Sequence, residues 1–396
     1  MHIANFTNTY LPVISGVVRS IRSYREELTR RGHNVFIFAQ EADYEDEEPF
    51  IFRYPSLNLP IGVDYPAAIP ISPYLDRLIP DIKLDVIHTH HPFLLGQTAA
   101  TKAQEYNLPL VFTFHTKYRE YTHYIPSQLE PVQNFVKDTL ERWLQDFMRR
   151  CQHIIIPSES MRDILVNEYG LKSNYTVIPT GINLEAYRSA NGQKIRSKRR
   201  WKEDTVMISV GRLAPEKNWA TLIHAAALVI KDYPRFRLAL IGDGAERNDL
   251  EALTRELRIH KRVTFIGSVP FSETPDYMKA ADLFGFASIS ETQGLATLEA
   301  MAAGLPVVAV DASGTRDILK HGQQGYLVKN EAQALAAGIK RMLENPERMQ
   351  KFAAAAYKKA QSFSIETLTD KLLGVYEQAL RDKKKERYVS VTAPTE

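Results

Sequence analysis

The feature that most constrains this chain is a pattern that occurs twice. Short β-branched apolar runs alternate with amphipathic stretches of helical period, first over residues 2–157 and again over residues 206–344. Apolar runs of this kind, each followed by a helix, are what a parallel sheet covered on both faces requires, since neither face is left to water. In the first half the predicted strands are His2–Phe6, Asn34–Ala39, Asp85–Thr89, Leu110–Phe114 and His153–Pro157, with helices at Val17–Arg31, Leu94–Glu105 and Gln128–Arg150. In the second half they are Val206–Val210, Arg237–Ile241, Val263–Ile266, Leu283–Ala287 and Val307–Val310. Helices Trp219–Asp232, Glu246–Leu257, Thr297–Ala303 and Glu331–Glu344 lie between or after those strands. Each half reads as one doubly wound α/β domain, and 396 residues suit two domains better than one. The expected boundaries are 1–185, 186–365, and a C-terminal helix and tail, 366–396, that packs back on the first domain. The polar, basic segment Tyr187–Lys202 reads as the hinge. Open α/β sheets bind ligands beyond the carboxyl ends of their strands, and two facing domains imply a cleft.

Composition narrows the class. Cys151 is the one cysteine, so there is no intramolecular disulfide, and no run approaches the ~18 apolar residues of a membrane span. No signal-peptide pattern precedes the first strand, and a cytoplasmic location is expected. The net charge of +3 is unevenly spread, with 17 Lys+Arg against 21 Asp+Glu in residues 1–176 and 33 against 26 beyond. The basic runs Lys194–Lys202 and Arg381–Arg387 could meet phosphates or an anionic membrane surface, or be solvated faces. The acidic segment Glu41–Glu48 argues against nucleic acid as a partner.

Four groups of residues carry chemistry. After Leu283–Ala287 comes Ser290-Glu291-Thr292-Gln293-Gly294-Leu295-Ala296-Thr297-Leu298-Glu299. Gly294 permits a tight turn and a helix begins near Leu295, so its free amides suit a phosphate. Glu291 and Glu299 would repel that phosphate, so they suit hydrogen bonds from sugar hydroxyls. After Val206–Val210 comes Gly211-Arg212-Leu213-Ala214-Pro215-Glu216-Lys217-Asn218, where Arg212 and Lys217 can neutralise a diphosphate leaving group. The competing reading is a solvated loop with an ion pair to Glu216. Gly16 and Val17 open a helix after the first strand as a single-glycine phosphate turn, without the dinucleotide or P-loop spacing. Histidines crowd two strand ends, as His88-Thr89-His90-His91 and His115. His88 and His90 share a strand face; no carboxylate or cysteine set completes a metal site with them, and His115 is the candidate sugar contact.

These four groups, in this order, resemble the family 4 glycosyltransferases of the GT-B fold over nearly the whole chain. Val177-Ile178-Pro179-Thr180-Gly181-Ile182-Asn183 is similar to that family's hinge-proximal segment, and Glu291 and Glu299 to its paired glutamates. The resemblance implies two Rossmann-like domains, acceptor-side and then donor-binding, a retaining front-face displacement and no metal or cofactor beyond the nucleotide-sugar donor. It implies that Arg212 and Lys217 hold the diphosphate with the amides of Gly294, Leu295 and Ala296. Glu291 would read the hexose, Glu299 the ribose, the main chain near Val269 the base, and His115 the region of the anomeric carbon. Thr292-Gln293 departs from the family's commoner Gly-Phe, and the first loop has one glycine where many members have two. Within the family, His88–Phe93, Phe114–Tyr124 and the Glu-Thr-Gln-Gly run look similar to glucosyltransferases acting on diacylglycerol. The implied partners are UDP-glucose, a lipid or a saccharide precursor as acceptor, and a membrane surface met through Phe135, Trp143 and Phe147 of the long helix. Two other classes remain open, a sugar phosphorylase with pyridoxal phosphate and a non-catalytic nucleotide-sugar sensor.

Overall fold

In a computed structural model of the chain, residues 1–13, 15–57, 66–116, 130–172 and 174–392 are described, those at 130–137 and 387–392 by backbone alone. The first seven-stranded sheet is built from β1 (His2–Phe6), β2 (Asn34–Gln40), β3 (Ile51–Tyr54), then β6 (Val86–Thr89), β7 (Leu110–Thr113), β8 (His153–Ile156) and β9 (Tyr175–Val177). A two-stranded hairpin, β4 (Ser56–Leu57) with β5 (Ala67–Ala68), lies between β3 and β6 in sequence. The sheet order is β3-β2-β1-β6-β7-β8-β9, parallel throughout. Helices α1 (Gly16–Arg30), α2 (Pro73–Ile82), α3 (Leu95–Glu105), α4 (Glu130–Arg149) and α5 (Glu159–Asn167) join the strands. The second sheet runs β12-β11-β10-β13-β14-β15, again parallel, from β10 (Thr205–Val210), β11 (Phe236–Ile241), β12 (Val263–Gly267), β13 (Leu283–Phe286), β14 (Val307–Val310) and β15 (Gly325–Val328). Its helices are α6 (Leu184–Arg188), α7 (Gly192–Arg199), α8 (Trp219–Asp232), α9 (Arg247–Glu256), α10 (Thr274–Lys279), α11 (Leu295–Ala302), α12 (Thr315–Ile318), α13 (Ala332–Leu343) and α14 (Pro346–Gln361).

Both faces of the second sheet are buried. Val206 and Ile208 of β10 enter one core and Met207 the other; Val307 and Ala309 of β14 part from Val308 in the same way. That division explains why β14 is apolar at every position and β10 carries an unbroken apolar run, Val206–Ile208, rather than an alternating pattern. Each sheet reverses strand order once, between β1 and β6 and between β10 and β13. At such a reversal the connections leave in opposite directions and open a crevice at the carboxyl ends.

Residues Met1–Gly181 with Ile365–Glu396 form one compact unit and Ile182–Ser364 the other. The C-terminal helix Ile365–Thr392 packs on α1 and β7 of the first unit through Leu368, Leu372, Val375, Tyr376 and Ala379, an apolar stripe at helical spacing. A Cβ at Gly181 would stand 2.7 Å from Ile365 Cα, so the chain enters and leaves that unit in close contact.

Two expectations need correction, and one is qualified. Segment Tyr187–Lys202 is not an open linker, because Tyr187, Ile195 and Trp201 are buried in the second core and Arg196 pairs with Asp282 at 2.6 Å. Within the acidic segment, Glu48 pairs with Arg25 and Asp46 with Arg53 at 2.5 Å, so its charge is answered in part. In α4, Phe147 is buried and Trp143 is stacked between it and Phe93, so those two rings are packed in the first core rather than offered to a membrane. The side chain of Phe135 and the run from Lys117 to Tyr124 lie outside what is described. Among the described residues no helix is long and apolar enough to cross a membrane.

Candidate active site

In the second unit the loops leaving β10 and β13, on either side of the strand-order reversal, bring the expected residues together. The loop after β10 turns through a short 3-10 segment, Pro215–Lys217, and reaches α8 by way of Asn218 at φ +55°. Trp219 pins it from below, donating Nε1–H to Arg212 O at 2.8 Å with its ring 2 % exposed. Lys217 Nζ donates to Glu291 Oε1, and Ser288 Oγ donates to the same oxygen at 2.8 Å. Arg212 stands more exposed, paired with Glu216 at 2.7 Å. The ion pair of the alternative reading is therefore present, on an arginine whose side chain is more than half exposed.

Gly294 has φ +77°, a left-handed geometry that β-carbons disfavour, and there the chain reverses into α11. Leu295 and Ala296, half-buried, form the helix's first turn, where N–H groups lack intrahelical acceptors. Glu299, 5 % exposed, is the only acid in a helix otherwise of Leu, Ala, Thr and Met. A carboxylate is costly to bury for packing alone. Val269 follows β12 and rests half-buried on the core. Gly314, at φ +77°, presses on this loop from the neighbouring connection: a Cβ there would lie 2.5 Å from Glu291 O and 2.9 Å from Gln293 N. Gly314→Ala is therefore expected to cost about 1–3 kcal/mol in urea denaturation and to lower turnover, because the Glu291 loop must move. An unchanged midpoint with unchanged turnover would show that this contact yields freely.

In the first unit, Ser15 caps α1 by accepting from Val18 N at 3.3 Å, which starts the helix at Gly16. Nothing lies within 4 Å of a Cβ built on Gly16, and Val17 is half-buried beside it. The histidines form a ladder. Asn5 and His88 are register partners on β1 and β6, and the two-residue period carries the same face to His90, Thr113 and His115. His88 gives one ring nitrogen to Tyr376 Oη at 2.8 Å and the other to Thr113 Oγ1 at 2.7 Å. The His88 and His90 rings pack in a tilted pair with centroids 4.3 Å apart, and His90 and His115 stack at 5.2 Å. His90 Nδ1 meets His115 Nε2 at 3.0 Å and His90 Nε2 meets Asn5 Oδ1 at 3.0 Å. His91 Nδ1 accepts from Asn8 N at 3.1 Å. Burial lowers all four imidazoles, His88 to about 3 and His91 to about 4, so the ladder is neutral. No group of three His, Cys, Asp or Glu suited to a metal occurs among the described residues.

Sequence reasoning missed Ser288, Trp219, Asn5 and Tyr376. Ser288 had a readable signal, a small polar residue directly at a strand's carboxyl end. Tyr376 had none, since its partner lies 288 positions away.

Two doubly wound parallel sheets with charged loops at their carboxyl ends are the architecture of the GT-B glycosyltransferases. Residues 14–186 match the family described as Glycosyltransferase Family 4, and residues 191–359 match Glycosyl transferases group 1. An alpha-monoglucosyldiacylglycerol synthase from Streptococcus pneumoniae is 35% identical over 357 residues, 88% of this chain and 79% of that protein. A second, from Acholeplasma laidlawii, is 31% identical over 360 residues, 88% and 89% of the two chains. The Anabaena protein Alr3699/HepE, solved with UDP and glucose, shares the fold at a TM-score of 0.75 and 21% identity, over 95% of this chain and 99% of that one. This chain belongs to the family 4 glycosyltransferases.

Proposed function

We propose that the chain transfers glucose from UDP-glucose, with retention of configuration, to the hydroxyl of diacylglycerol or a related lipid. The observation that carries the donor half is Lys217 joined to Glu291 and Ser288 at the strand-order reversal, beside Arg212 and the first turn of α11. Two cations and a helix N-terminus suit a departing diphosphate. In this reading Arg212 and Lys217 take the phosphates with the amides of Gly294, Leu295 and Ala296. Glu291 accepts from hexose hydroxyls, Glu299 from the ribose, and the main chain at Val269 meets the base. By the family resemblance, His115 is proposed as a sugar contact and Gly16 and Val17 as a phosphate turn. No side chain is assigned as a covalent nucleophile; the departing phosphate oxygen takes the acceptor's proton on the face it leaves, and catalysis is positioning with charge stabilisation. The donor assignment draws on UDP and glucose bound by the Anabaena protein, and the acceptor on the two relatives' being monoglucosyldiacylglycerol synthases.

The test is a donor screen with UDP-glucose, UDP-galactose, UDP-N-acetylglucosamine and GDP-mannose, with and without diacylglycerol vesicles, reading nucleotide release and the anomer formed. Release from UDP-glucose that rises with vesicles, giving an α-linked glucolipid, is expected. Release indifferent to lipid moves the acceptor to a saccharide, and none from any donor leaves a sensor. Glu299→Ala is expected to weaken UDP binding about tenfold or more, as loss of a charged hydrogen bond does; calorimetry showing wild-type affinity would remove Glu299 from the ribose.

A further inference from the structure

The histidine ladder holds more order than a sugar contact needs. Each ring nitrogen of a neutral imidazole is either a donor or an acceptor, so fixing one nitrogen fixes the other. Asn5 Oδ1 can only accept, so His90 Nε2, 3.0 Å away, must carry the proton. His90 Nδ1 is then bare and can only accept from the nitrogen 3.0 Å from it, His115 Nε2. That donation leaves His115 Nδ1 with its lone pair exposed to whatever meets the ring, and no described residue is bonded to that nitrogen.

We propose that Asn5 and His90 are positioning residues that set the tautomer of His115, making its Nδ1 a hydrogen-bond acceptor for a sugar hydroxyl. The proposal rests on His115 meeting the sugar, as above. His90 is held in place, since its ring stacks on His115 and packs against His88, which is itself held from both sides by Thr113 and Tyr376. The C-terminal helix therefore braces the ladder through Tyr376. A bare nitrogen at this place favours a hydroxyl and disfavours a phosphate oxygen, which has no proton to give at neutral pH. The ladder thus offers a lone pair suited to a hydroxyl and unsuited to a phosphate oxygen.

The experiment is a long-range proton–nitrogen spectrum of the full chain with ¹⁵N-labelled histidine, its His115 signals assigned by loss in His115→Asn. Protonated Nε2 and bare Nδ1 on His115, with protonated Nε2 on His90, are expected in the wild type. Asn5→Leu removes the acceptor; His115 should then distribute over both tautomers, and kcat should fall about tenfold with donor KM within about twofold, the size of one lost hydrogen bond in the transition state. A proton on His115 Nδ1 in the wild type overturns the proposal whether or not any variant folds. So does an unmoved His115 tautomer in folded Asn5→Leu, or in Asn5→Ser, whose shorter side chain falls out of reach. His115→Asn turning over at the wild-type rate would remove the sugar contact while the spectrum still decides the tautomer, so the two readings fail separately.

Discussion

Lys217→Ala is expected to lower turnover by several hundred-fold or more while leaving the fold intact. A nucleoside diphosphate departs with charge that was less developed in the bound donor, so a cation at the phosphates is worth more in the transition state than in the ground state. Removing one such stabiliser typically costs about 10²–10³ in kcat. Lys217 is set for this work by three local features: the 3-10 turn Pro215–Lys217, the left-handed Asn218, and the Trp219 indole bonded to Arg212 O. Its ammonium is 21 % exposed and Glu291 15 %, so their attraction is screened less than a surface pair's. Loss of the lysine leaves Glu291 with the Ser288 hydroxyl and one less cation beside the diphosphate, which raises the barrier twice. Arg212→Ala should cost less, because Arg212 is 54 % exposed. Steady-state nucleotide release with a urea denaturation control checks this. Wild-type turnover by Lys217→Ala would sink the leaving-group role.

The donor half was legible because it is local. Gly211–Asn218 and Ser290–Glu299 are short segments tied to strands whose apolar runs are plain, and Gly294 with the helix start at Leu295 followed from residue type alone. What escaped depends on distance. Strands β3 and β9 are edge strands, and β15, also at an edge, is the four residues Gly325–Val328, too brief for a periodicity to show. The segment 187–202 is rich in Lys and Arg, so it read as solvent-facing; yet Tyr187 of α6, Ile195 of α7 and Trp201 just past α7 are all buried in one core. The cost of a charged exterior on such short helices falls on Arg196, which is answered by Asp282 and three backbone carbonyls. In α4 the same ambiguity ran the other way. Trp143 and Phe147 with Arg149 and Arg150 fit an interfacial helix and a core helix equally by pattern, and only the packing against Phe93 and Phe112 decides. The histidine ladder was half visible: strand alternation set His88 beside His90, but Asn5 joins it only through sheet register and Tyr376 only through the return of the C-terminal helix.

The first unit should lose stability steeply between pH 6.5 and 5, above the range where carboxylates titrate. His88 and His91 have folded values of about 3 and 4, lowered by burial alone, against an ordinary value of 6.5. A lowered histidine is unprotonated in both states above pH 6.5 and contributes nothing there. As pH falls below 6.5 the unfolded chain binds protons that the folded chain refuses, so stability drops by about 1.4 kcal/mol per pH unit per ring until the folded value is reached. At pH 5 that is about 2 kcal/mol for each of the two rings, or about 4 kcal/mol together, a large part of the 5–15 kcal/mol that holds a typical domain. His90, lowered further with His88, His115 and His91 around it, adds in the same direction. Glu27, whose carboxyl is lowered chiefly by its hydrogen bond from Arg30, favours the fold above the ordinary carboxylate range and gives up that share only nearer pH 4. The window from 6.5 to 5 therefore belongs to the histidines. Urea midpoints followed by near-ultraviolet dichroism at half-unit pH steps measure it, and His91→Asn, which keeps an acceptor for the Asn8 amide, should flatten the slope by about one proton. A midpoint flat from pH 7 to 5 would mean that the ladder accepts protons in place, which its burial under the C-terminal helix should forbid.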